Sequence, residues 1–101
     1  MLVLDVHIHR QASKNQSYQE SITTLFTAIA QFFDEQGFGS NSFAAKFESD
    51  PLYFRIESGD LSSDGMRWVQ EHLHAWMGRM DRRRSRKSLE DLLESLRDTL
   101  R

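Results

Sequence analysis

There is no cysteine in the 101 residues, so disulfides, thiolate zinc sites, iron–sulfur clusters and cysteine nucleophiles are excluded, and a reducing cytoplasm is the expected compartment. An excess of one charge is lacking too. Thirteen Lys and Arg against fifteen Asp and Glu leave a net charge of −2, too little for global attraction to nucleic acid or to an anionic membrane. No long hydrophobic run occurs. The opening MLVLDVHIHR has, after Met1, only the three apolar residues Leu2, Val3 and Leu4 ahead of Asp5 and no basic leader, so neither a signal peptide nor a membrane span is expected. A single proline, Pro51, and five glycines leave few places where regular structure must break.

Aromatic residues, by contrast, are plentiful. Seven Phe, two Trp and two Tyr within a 39% hydrophobic composition argue for a folded core rather than a disordered chain. The length suits one domain over 1–101. Within it, residues 1–81 read as the core, 82–88 as a basic connection and 89–101 as a C-terminal amphipathic helix.

Periodicity sets out the elements. Leu2, Leu4, Val6 and Ile8 alternate with Val3, Asp5, His7 and His9, the pattern of a half-buried strand. Ser17 and Glu20 have capping-box spacing, and a helix with Tyr18, Ile22, Leu25, Phe26, Ile29, Phe32 and Phe33 on one stripe should follow to about Gln36, ending at Gly37. Phe43, Ala45 and Phe47, then Leu52, Phe54 and Ile56, alternate on either side of Ser49-Asp50-Pro51, which predicts a hairpin. Ser62 or Ser63 then caps a helix whose stripe is Met66, Val69, Leu73, Trp76, Met77 and Met80, with Trp68 off it. Ser88 caps a last helix with Leu89, Leu92, Leu93, Leu96 and Leu100 on one side.

The order βαββαα predicts an α+β two-layer sandwich. Its three-stranded mixed sheet, of order 1-3-2, would carry helices on one face, a relative of the ferredoxin-like fold.

Three features bear on chemistry. Asp5, His7 and His9 share one side of the first strand, where two imidazoles and a carboxylate could meet one ion. "DVHIH" resembles the start of the amidohydrolase and related metal-dependent hydrolase families, whose histidines here bind a divalent metal. The resemblance spans five residues, and those families draw further ligands from later strands of a much longer barrel. The remaining histidines, His72 and His74, lie about 200° apart on a helix and cannot face one site. No hydrolase activity is carried over, and no cofactor is implied. Next, Arg82, Arg83, Arg84, Arg86 and Lys87 put five positive charges in six residues, a candidate phosphate or nucleic-acid contact, although Asp81, Glu90, Asp91 and Glu94 can neutralise it locally. Finally, the leucine stripe of the last helix, with Leu93 and Leu96, and Trp68 off the main stripe suggest a surface for a second subunit, hence a homodimer.

No nucleophile stands beside a base, since the serines and threonines fall at caps and linkers. The reading is a small cytoplasmic, non-catalytic protein-interaction or regulatory module of the adaptor, inhibitor or immunity kind. Its partner would be another protein, bound through a polar sheet face with His7, His9, Tyr53 and Arg55 together with Trp68, Leu93 and Leu96. The alternatives are a nucleic-acid-associated regulator using 82–87 and a metal-binding protein using Asp5, His7 and His9.

Overall fold

A computed structural model describes residues 2–5, 16–39, 41–50, 54–82 and 88–100. Helix α1, Gln16–Gln36, begins ahead of Ser17 and crosses the whole core. Phe26, Ala28, Ile29, Ala30, Phe32 and Phe33 are all fully buried along it. Its end is set by Gly37, the one residue with positive φ (+66°) among those described. From there the Gly37 amide donates to the Asp34 carbonyl and the Phe38 amide to the Phe33 carbonyl, the pair of hydrogen bonds of a Schellman turn. The hydrophobic contact that accompanies this turn is present as well, with the Phe33 and Phe38 rings 5.5 Å apart.

The next segment departs from expectation. Residues Phe43–Ser49 form a helix, α2, rather than a strand. Ser42 accepts a hydrogen bond from the Ala45 amide and donates to Asp34, while the Asp34 carboxylate also accepts from the amides of Phe43 and Ala44. These bonds satisfy donors that a helix start leaves free. Phe43 and Phe47, four residues apart, are therefore buried on one face of α2.

With α2 helical, the hairpin and the three-stranded sheet of order 1-3-2 are not seen among the described residues, and the α+β sandwich related to the ferredoxin-like fold is overturned: the described residues are mostly helical. What remains is a two-stranded antiparallel ribbon of β1, Leu2–Asp5, and β2, Arg55–Glu57. Leu4 pairs with Ile56 and Asp5 with Arg55, with a register shift between Leu2 and Leu4. Ile56 faces the core and is fully buried, whereas Arg55 and Glu57 face out.

A short 3-10 turn, Ser58–Asp60, leads to Ser62, whose hydroxyl accepts from the Gly65 amide and caps helix α3. Helix α3 runs over residues 63–82 and contains a π-turn at Val69–Leu73. Trp68, Val69 and His74 keep helical dihedrals, so the helix passes through the turn without breaking.

This turn moves Trp68. In a regular α-helix Trp68 and Trp76 would lie about 80° apart around the axis, but one extra residue in a wide turn brings them to within about 20°. Trp68 is accordingly buried, its ring 5.1 Å from Phe32 and 5.5 Å from Phe33. Gly65, on the same side as Trp68, is buried against Phe38, where a Cβ would come within 2.9 Å of the Phe38 Cβ. Met66 and Val69, expected in the core, are only partly buried.

Helix α4, Leu89–Asp98, is capped by Ser88 and lays Leu92, Leu93 and Leu96 against α1. Two indoles tie α3 to it. The Trp68 Nε1–H donates to Thr99 Oγ1 at 2.8 Å, and the Trp76 Nε1–H to Ser95 Oγ at 2.9 Å. Ser95 and Thr99 stand one turn apart, so the π-turn lets both tryptophans reach one face of α4. A radius of gyration of 12.8 Å matches the roughly 13 Å of a collapsed chain of this length.

Candidate functional site

The polar surface that the fold builds lies around β2 and α2. Arg55 and Glu57 project from the outer side of β2, their charged ends 4.0 Å apart. Lys46, one turn into α2, reaches across so that Nζ donates to the Arg55 carbonyl at 3.0 Å and stands 3.8 Å from Asp60 Oδ2. The same Asp60 oxygen accepts from the Glu57 amide at 2.9 Å. Lysine therefore fastens α2 to the ribbon while leaving the outer face charged with both signs.

Beside it, Asn41, Ser42, Phe43, Lys46 and Asp60 line a shallow hollow of about 50 Å³. Water fits there, since a water molecule takes up about 30 Å³ of liquid. Sites for substrates or cofactors are usually several hundred Å³. Close by, Gly39 pairs with Leu61 in an isolated bridge, and a Cβ at Gly39 would come within 2.9 Å of the Asp60 carbonyl oxygen. Glycine is what allows the two chain segments to approach here.

A second charged contact joins the two ends of the core. Arg97 of α4 forms a two-bond fork with Glu35 of α1, its Nε 3.0 Å from Oε2 and its NH2 on Oε1. The hydrogen bond from Arg97 lowers the Glu35 pKa below its ordinary value, and Glu35 in turn raises that of Arg97. Neighbouring carboxylates thus do different work: Asp34 caps α2, and Glu35 holds α4.

The residues singled out from the sequence are divided by the fold. Arg55 is exposed on β2. Trp68, Leu93 and Leu96 are buried inside the chain, so the apolar face expected for a second subunit is used by the protein's own core. Burying a leucine or tryptophan face within the chain excludes water from it, and a terminal helix finds this face adjacent at no cost in association entropy. His7, His9 and Tyr53 lie outside the described residues, as do Arg83, Arg84, Arg86 and Lys87. Arg82 is the last described residue of α3.

Asp5 falls in β1 opposite Arg55, and its two candidate co-ligands are among the residues not described. Among the described residues no three His, Cys, Asp or Glu side chains come together to hold a metal. His72 packs partly buried beside Trp68, ring centroids 6.1 Å apart, and His74 is exposed. Lys46, whose place beside Arg55 the alternation also implied, reaches this surface from a helix rather than from a strand, and Asp60 was not anticipated there. Searches against protein-family models, curated proteins and solved structures return no match. No helix among the described residues is long and apolar enough to cross a membrane.

Proposed function

We propose that the protein is a small non-catalytic interaction module that binds another protein through the outer face of the β1–β2 ribbon. The observation that carries this reading is the alternation along β2, where Ile56 is buried while Arg55 and Glu57 stand out from the strand. Lys46 and Asp60 extend the same surface. A strand fixes the spacing of its side chains, and a pair of opposite charges so held favours a partner with complementary charges and disfavours others. Arginine is also among the residues that contribute most at protein interfaces. The reading now rests on Arg55 and its neighbours, with Trp68, Leu93 and Leu96 assigned to folding.

The test is a charge reversal that leaves the core alone. Arg55→Glu combined with Glu57→Arg should retain the far-ultraviolet circular dichroism and thermal midpoint of the wild type. A protein co-purifying with the wild type, then purified and titrated against both forms, should bind the variant at least about tenfold more weakly, equivalent to about 1.4 kcal/mol. Equal binding by the two forms, or no protein retained specifically by the wild type, would overturn the reading.

A further inference from the structure

Helix α3 carries two apolar faces, one buried in the core and one, with Met66 and Val69, only partly buried. With the π-turn in place, Gly65 and Trp68 join Leu73 and Trp76 in the core. If the turn at Val69–Leu73 closed to regular α-helical geometry, residues 63–68 would rotate by about 100° and shift by about 1.5 Å relative to the rest of the helix. Met66 and Val69 would then fall in line with Leu73 and Trp76, the uninterrupted stripe that the sequence spacing displays, and Trp68 would swing away from Thr99.

We propose that this π-turn is a two-position register switch, with Trp68 inside the core in one position and turned out of it in the other. Opposing contributions set the two positions against each other. The observed register buries Trp68 among Phe32, Phe33 and Phe38 and forms its bond to Thr99, at the expense of one widened turn of a kind that is rare in helices. The regular register removes that widened turn and offers two partly exposed apolar side chains, Met66 and Val69, in exchange for the indole.

Departure of the indole does not orphan the hydroxyl it leaves, because Thr99 Oγ1 also donates to the Leu96 carbonyl. Trp76, beyond the turn, keeps Ser95 in both positions. The moving part is therefore the first two turns of α3 together with the Ser62 cap, whose amide donates to the Phe38 carbonyl in the observed register. Discrete alternative packings of one helix against a fixed core are a recurring basis for switching.

Two variants bias the switch in opposite directions. Deleting Gln70, exposed within the turn, removes the extra residue, so a regular helix keeps Trp68 inside. Gly65→Ala disfavours the observed register, since its Cβ would crowd Phe38, and so turns Trp68 out. The two tryptophans give two indole N–H signals by nuclear magnetic resonance. In the full-length wild type the Trp68 signal should show microsecond-to-millisecond exchange by relaxation dispersion while Trp76 does not.

That exchange should be lost on deletion of Gln70, and Gly65→Ala should move the Trp68 signal toward the solvent-exposed position and speed its exchange with water. Should the deletion fail to fold, Met66→Gln combined with Val69→Gln removes the apolar side chains of the alternative face and must also abolish the exchange. Absence of exchange at Trp68 in the wild type overturns the proposal. So does exchange that persists in the folded deletion or the glutamine variant, or a Gly65→Ala protein that is merely less stable with its Trp68 signal unmoved.

Discussion

Residues 43–47 and 52–56 both carry apolar side chains at every second position, yet Phe43–Ser49 winds into α2 and Arg55–Glu57 runs as β2. Their surroundings decide. Upstream of Phe43 stands Ser42, and the Asp34 carboxylate meets three donors at that helix start. Between the two phenylalanines are Ala44, Ala45 and Lys46, which are strong helix formers. At Ile56, by contrast, the β-branched side chain suits a pleated surface. Both segments then place a phenylalanine in one contact, Phe47 against Phe54, edge to face at 5.2 Å. Helix and strand have thus been folded toward a common apolar point from opposite sides.

Breaking that shared point should have the largest effect. Phe54→Ala and Phe47→Ala are each expected to cost about 3–5 kcal/mol, the usual range for a buried aromatic truncated in a core. Their double variant should fall short of additivity by about 0.5–1.5 kcal/mol, the energy particular to an aromatic pair. Denaturant unfolding of the four proteins measures both; full additivity would mean that the two segments are stabilised independently.

The cap comes next. Asp34→Ala should lower stability by about 1–3 kcal/mol, through loss of a capping carboxylate and of partners for part-buried amides. It should also reduce helical circular dichroism by about the contribution of α2, leaving β2 in place. If α2 survives unchanged, the capping account of why this segment departs from a strand is wrong.

The smallest effect concerns the adjacent carboxylate, which serves a different helix. Glu35 has its pKa lowered by Arg97, so the pair adds stability above the ordinary glutamate value, and the addition is lost as pH falls through the lower, folded value. Because both side chains are about two-fifths exposed, water and salt screen the pair and the effect is modest. Thermal midpoints measured from pH 7 down to about 3 should fall more steeply for the wild type than for Arg97→Ala, with the difference shrinking at high salt. Parallel curves would show that α4 is held by its leucines and the indole bonds alone.

Much of the helical framework was legible in the sequence because its signals are local. The stripe and terminal glycine of α1, the Ser62 and Ser88 caps and the leucine face of α4 all depend on residues within a few positions of one another. The candidate surface was legible only in part: Arg55 was read as outward on a strand, while Lys46 reaches it from a helix that alternation had hidden and Asp60 from the 3-10 turn that follows β2. Trp68 was misplaced for a related reason. Its phase was counted along a regular helix, and the extra residue of the π-turn is visible only once Ser95 and Thr99 are in position to receive both indoles.

By itself, then, the sequence determined where helices could begin and end, which side chains had to leave water, and that disulfide and thiolate chemistry were closed to this chain. Tertiary structure decided how α3 would wind and which leucines would meet the chain itself, and through Asp34 it tipped Phe43–Ser49, whose local signals pointed both ways, into a helix. The physical reason is the range of the forces involved. Capping and periodicity act within one or two turns, but the register of a helix against a core is set by partners far along the chain, such as Asp34 for α2 and Thr99 for Trp68.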